Sequence, residues 1–376
     1  MNNQRGFANS IILILVVIVL AGIGSYFVLN HQTPSLPFVT TPAPKTLPLV
    51  PTATPTPTQT PITKSPTPIS TETPLINNSL TAFKNIFVIH DDGTLITPQG
   101  QVQPLEVAKK FYNLNQDKKD TYDLLTLFTS FHDPNTVEYH MGLRNSINGI
   151  GRIPTMSSVD IADLPSKLVG ISFVDDTYSP KYNTVEAEIK NNLFLMDHET
   201  GHQWLAYIGK DEGISDGIHY SKWVSNGFIR DGIQWGDVMQ GWPWKDNGDG
   251  TVSVKNITHA GFSNFSLYMM GLISASEVPD LQIVVPNDPA NKEFNSVPGT
   301  FKTIQIKDLI AKYGERVPSY LNSQKDFNMA YILVVKKGQT QSDYEPYLNV
   351  VSWVAKYFPD EWNYITYGKS TINKGL

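Results

Sequence analysis

Cysteine is absent from all 376 residues. That excludes disulfides, a thiol nucleophile, cysteine-ligated zinc or iron–sulfur centres, a lipid-modified N-terminal cysteine and a cysteine-switch propeptide. Charge is scarce as well: Asp, Glu, Lys and Arg make up 17% of the chain, with a formal net charge of −6. Nucleic acid requires a basic face that this balance does not supply, so no nucleic-acid partner is expected. Repeats of the roughly 20–50 residues that mark solenoids are also missing.

Proline, by contrast, is concentrated. Twelve of the 26 prolines and 13 threonines fall within residues 33–75, where only Lys45, Lys64 and Glu72 are charged. Proline fixes φ and removes a donor, so neither a helix interior nor a sheet interior is expected there. The composition predicts an extended, disordered Pro/Thr-rich extracellular linker, reaching on the order of 130 Å at about 3.1 Å per residue. Before it, residues 11–29 form a 19-residue stretch without charge, close to the ~20 apolar residues of a membrane span. Arg5 precedes the stretch, and Lys45 is the first charged side chain after it. The positive-inside rule then places the N-terminus in the cytoplasm and the rest outside the cell. The run exceeds the ~7–15 apolar residues of a cleaved signal. Residues 1–32 are therefore read as an N-terminal transmembrane signal anchor, with cleavage near the small residues at 21–24, and hence secretion, as the alternative.

Residues 76–376 hold all seven tryptophans and are long enough for a sizeable core. Runs rich in β-branched and aromatic residues predict strands over 85–89, 122–131, 137–143, 167–174 and 327–335. Helices are expected over 104–112, 263–273 and 347–358, and over 192–208 with Gly209 as its C-terminal stop. Residues 246–251 read as a β-hairpin turn, because the spacing of a calcium loop is missing. Strands and helices mix without a steady βαβ rhythm, so the expected class is α+β with a mixed sheet.

One stretch carries chemistry. His198-Glu199-Thr200-Gly201-His202 is an H-E-x-x-H pattern. On a helix, residues i and i+4 share a face, with Cβ atoms about 5–6 Å apart, so two imidazoles can hold one metal ion. Glu199 lies about 100° round the helix, where it can act on a water that the metal activates and serve as general base. With 8 His and 12 Glu in the chain, chance alone yields on the order of 0.005 such pentads. Gly201 costs a helix about 1 kcal/mol against Ala, which a close backbone neighbour or a metal site would explain. A helix-stabilising surface pair of histidines is the plainer alternative.

The pentad resembles that of the zincin metallopeptidases. Further pieces resemble a group of secreted zincin-like proteins: the segment from Gly201 to Trp204, His219-Tyr220-Ser221, Asn247-Gly248-Asp249-Gly250-Thr251, and Leu267-Tyr268-Met269-Met270-Gly271-Leu272. The resemblance spans most of residues 85–376. It implies a zincin-like catalytic domain over 76–376, bound Zn2+ and hydrolysis of peptide bonds.

A catalytic zinc takes three protein ligands. The metzincin pattern needs Gly and His at positions that Leu205 and Ile208 occupy here. A gluzincin glutamate is missing, since no Glu lies between Gly213 and Ser276. His219, 17 residues beyond His202, is the chosen third ligand, because the loop 213–217 can turn the chain back over the helix. Asp211, Glu212, Asp216 and His259 remain open. For the oxyanion donor, Tyr268 is the candidate, with Tyr220 and His259 as alternatives. Met239 or Met270 can form an apolar floor under the metal, and strand 137–143 can pair with an extended substrate. The expected protein is a membrane-anchored extracellular zinc metallopeptidase acting on peptides or proteins outside the cell. The rivals are an inactive zincin-fold surface binding or adhesion module, and a metal hydrolase of cell-wall amide bonds.

Overall fold

Two long apolar runs organise the structure, a computed structural model that describes residues 83–132, 137–176, 185–230, 233–254 and 259–375. The expected membrane anchor and Pro/Thr linker lie outside the described residues. Among those described, no helix is long and apolar enough to cross a membrane. All of them belong to one compact unit with bounds Lys64 and Leu376.

The first half of the fold comprises strand β1 (Ile86–His90), helix α1 (Pro104–Leu114), strands β2 (Leu124–Thr129), β3 (Tyr139–Gly142) and β4 (Gly170–Asp176), and helix α2 (Val185–Gly201). Short strands follow: β5 (Val224–Ser225), β6 (Phe228–Arg230), β7 (Ile233–Asp237), β8 (Trp244–Asp246), β9 (Thr251–Val254) and β10 (His259–Gly261). The remainder is α3 (Asn264–Met270), β11 (Leu281–Pro286), β12 (Val297–Ile304), α4 (Ile306–Tyr313), β13 (Asp326–Phe327), β14 (Met329–Val335), α5 (Gln341–Ile365) and β15 (Thr371–Ile372). The mixed helix and strand content expected from the sequence is present.

The main sheet has five strands in the order β1-β14-β2-β4-β3. All its pairings are parallel except the outermost, β3 against β4. Strands β2 (LLTLFT) and β14 (MAYILVV) are buried at every position. That is the signature of a parallel sheet covered on both faces. Alternation decides which layer each residue meets. Ala330, Ile332 and Val334 share a core with Val107, Ala108 and Phe111 of α1. Met329, Tyr331, Leu333 and Val335 share another with Met196 of α2 and with Val351, Val354, Phe358 and Trp362 of α5. Each such side chain contributes about 1.5–3 kcal/mol on burial.

Helix α5 is longer than residues 347–358, running through Pro346 and Pro359. Helix α2 starts earlier than expected and ends at Gly201 rather than Gly209. The chain beyond tightens into i→i+3 bonds, Gln203 N–H to Thr200 O and Trp204 N–H to Gly201 O, and Ala206 takes a left-handed φ of 69°. Ser263 caps α3, and Gly271 ends it at φ 77°. Residues 246–251 form the expected hairpin turn, with β8 and β9 antiparallel. Beyond α2, a three-stranded sheet β10-β7-β6 and a five-stranded sheet β5-β11-β12-β9-β8 complete the fold.

Candidate metal centre

The end of α2 and the loop after it bring His198, His202 and His219 together. One ligating nitrogen from each lies within 4.8 Å of the others, and the ring centroids are 4.9, 5.0 and 5.1 Å apart. The i, i+4 spacing survives because His202 N–H still reaches His198 O at 3.2 Å. His219 arrives by a different route. An isolated antiparallel bridge joins Ser215 to Tyr220, and Asp216 Oδ1 accepts the N–H groups of Ile218 and His219 at 2.8 Å each. The loop thus folds back on itself and carries His219 to the helix.

The chemistry of the donors fits a metal ion. His198 Nδ1 donates to Val238 O at 2.7 Å, which leaves Nε2 with its lone pair. That lone pair faces His219 Nε2 at 3.1 Å, near the ~3.3 Å separation of two nitrogens bound to one tetrahedral zinc at about 2.0–2.1 Å. Burial first, then the neighbouring His219, holds His198 down at about 4. Burial also lowers His202 and His219. Neutral imidazoles are the form that binds metal.

Glu199 is buried at 4% exposure, and its Oε2 has no hydrogen-bond partner, nor does Nδ1 of buried His202. Burial, then the charge of Glu138, pushes the Glu199 carboxyl well above its ordinary range. Orphaned buried polar groups cost free energy, and a dication beside them removes that cost. His198, His202 and His219 could hold a metal ion.

The other ligand candidates have their own partners. Glu212 accepts from Lys312 Nζ at 2.6 Å and from Tyr313 OH at 2.7 Å. Asp211 accepts from Lys312 at 3.0 Å, Asp216 serves the loop turn, and the ring of His259 lies on Trp235 at 4.7 Å. Tyr268 is not brought to the imidazoles: the charges acting on it are those of Glu315 and Arg316. It sits in the buried run of α3, where its neighbours are core residues and the arginine beneath the helix end. The tyrosine ring beside the centre is that of Tyr207, which sequence reasoning did not single out. Its ring lies 6.0 Å from that of His202, and burial, then the charge of Glu199, pushes it up to about 12. No motif marks it; the turn at Ala206 aims it.

A second missed residue is Asp237. It is buried at 5% exposure and accepts from Met239 N–H at 2.9 Å, Ser263 N–H at 2.9 Å and Ser266 Oγ at 2.7 Å. With the Ser266 proton directed at Asp237, Tyr220 OH donates to Ser266 Oγ at 2.9 Å. One carboxylate therefore braces both limbs of the centre: Val238, whose carbonyl orients His198, and Tyr220, next to His219. Burial lifts Asp237 to about 6 despite these bonds.

Met239 explains Gly201. A Cβ on Gly201 would stand 2.9 Å from Met239 Sδ and 3.3 Å from Phe262 Cε1. Met239 thus lies against the helix that carries His198. Compared with known proteins, the chain matches no family model, no curated protein and no solved structure.

Proposed function

We propose that the chain is a zinc metallopeptidase of zincin type, held at the cell membrane by residues 11–29 and acting on peptides or proteins outside the cell. The observation that carries this reading is the buried, unpartnered Glu199 carboxylate beside three converging neutral imidazoles. When bound, zinc supplies a Lewis acid that polarises a carbonyl and makes water acidic enough to react near neutral pH. His198, His202 and His219 would hold it. Val238 O keeps the proton of His198 on Nδ1, so that Nε2 binds.

Glu199 takes one proton from the attacking water as the new C–O bond forms. It then passes that proton to the leaving amine as the C–N bond breaks. Tyr207 OH, beside His202, donates a hydrogen bond to the carbonyl oxygen as negative charge builds there. Strand β3, outermost in the main sheet and antiparallel to its neighbour, offers the edge to which an extended peptide adds.

The test uses the full-length chain in detergent. Bound metal is measured by elemental mass spectrometry, and cleavage is followed on a fluorogenic peptide panel that includes cell-wall fragments. About one zinc per chain with peptide turnover that Glu199→Gln abolishes is the expected result. A folded chain that takes up no zinc sinks the reading. Zinc without turnover of any peptide moves the chain to a surface-binding role.

A further inference from the structure

Among the described residues, the charges that act on the centre, apart from its histidines, are acidic. The charged side chains acting on His198, Glu199, His202, His219 and Tyr207, apart from the histidines themselves, are Glu138, Glu199 and Asp216. No lysine or arginine is among them.

Strand alternation then separates what β3 presents. Tyr139 turns to the α1 side of the sheet, its ring 5.7 Å from that of Phe173, and Met141 packs against the same core. His140 turns to the opposite side, its Nε2 2.8 Å from Oε1 of Gln203, the residue after His202. Its Nδ1 lies 3.0 Å from Ser172 Oγ, so both ring nitrogens are occupied within the protein. Glu138 is two residues before His140, just ahead of the strand, and its charge acts on Glu199. Its carboxylate is partly exposed and has no ion-pair partner among the described residues. The outer edge of β3 has no strand beside it among the described residues.

We propose that the site selects cationic substrates: an extended peptide along β3 places a lysine or arginine beside Glu138, next to the bond at the metal. The inference rests on the peptidase reading and gives it a substrate class. Main-chain pairing to β3 is indifferent to side chains, so the Glu138 carboxylate, without an ion pair among the described residues and acting on Glu199, is what discriminates.

The test measures binding, so that it stands apart from turnover. Zinc-loaded full-length Glu199→Gln is titrated at low ionic strength with labelled, otherwise neutral peptides carrying one Lys, Gln or Glu at each successive position. At one position Lys is expected to bind about tenfold tighter than Glu, with the bias shrinking at high salt. Adding Glu138→Gln is expected to bring the ratio to within about twofold, and Glu138→Lys to invert it. Zinc content is expected to be unchanged in both. A ratio near one at every position, or a bias that the Glu138 variants leave intact, overturns the inference. Loss of zinc in Glu138→Gln also overturns it, by making Glu138 part of the metal's own surroundings. A lysine bias in binding without turnover by the wild type would leave this inference standing and sink the peptidase reading.

Discussion

The parallel sheet and the segment from Gln203 to Phe262 are built on different physics. The sheet is regular: β2 and β14 are buried throughout, and α1, α2 and α5 cover its faces with apolar stripes. The segment is irregular. Its strands are two to five residues long, it turns through left-handed residues at Ala206, Gly209 and Gln240, and buried polar bonds through Asp237 hold its parts. The sheet supplies stability and presents α2. The segment supplies His219, Tyr207 and the Val238 carbonyl. Stability and site geometry therefore separate, and substitutions can be chosen to strike one without the other.

The sharpest break comes within the pentad. Glu199→Gln is expected to keep zinc and lower kcat by about a thousandfold, as the loss of a general base does. His202→Ala is expected to lose the zinc itself. Elemental analysis beside a cleavage assay separates the two, and equal zinc loss in both would erase the distinction between base and ligand.

On the sheet side, Phe111→Ala removes a fully buried side chain that packs on Phe87 and Tyr122. It is expected to cost about 3–5 kcal/mol in urea unfolding and to leave zinc affinity of the folded fraction within a few-fold. A large fall in affinity would show that core and centre are coupled after all.

On the segment side, Asp237→Asn is the converse test. Burial lifts the Asp237 carboxyl from 3.8 to about 6, so between those values the folded chain keeps a proton that the unfolded chain has lost. Stability from this group is present below about 3.8 and is lost as pH rises through about 6, a change of about 2–3 kcal/mol. In the metal-free protein, wild-type stability relative to Asp237→Asn should fall by that amount across this window. Zinc affinity of the variant should drop about tenfold to a hundredfold, as it does when the partners of ligands are removed. Identical pH slopes in the two proteins would remove the carboxylate from this role.

The smallest effect is expected at Tyr207. Tyr207→Phe keeps the ring and removes the hydroxyl, and should lower kcat about tenfold with KM little changed, since the bond it makes strengthens as charge develops. A change in KM alone would make Tyr207 a binding residue instead.

The sheet was largely legible in the sequence, because burial on both faces leaves unbroken apolar runs such as FNMAYILVV and YDLLTLFTSF, and each marks its own strand. The expected helix over 263–273 holds α3 but overruns its end, because the left-handed Gly271 that stops it was not read as a cap. The end of α2 was misplaced because the first left-handed residue is Ala206, a position no propensity flags, and Gly209 drew attention from it. Tyr268 stood out in a motif, whereas Tyr207 had nothing to distinguish it. Which tyrosine meets His202 depends on a turn, and that turn depends on what packs beneath it.

The sequence by itself determined the pairing of His198 with His202 and the reach of Glu199, because helical period is a local property that five residues suffice to express. It also determined that any third ligand would have to be nitrogen or oxygen, since cysteine is absent. Only the tertiary structure brought His219, and not Asp211, Glu212, Asp216 or His259, into one group with His198 and His202. Residue type and spacing alone do not rank them, and their places follow from where a lysine, a tryptophan and a folded-back loop take up each of them. The tautomer of His198 and the brace at Asp237 were decided the same way, by bonds between residues 26 to 40 positions apart. Contacts of that range exist only once the chain has packed.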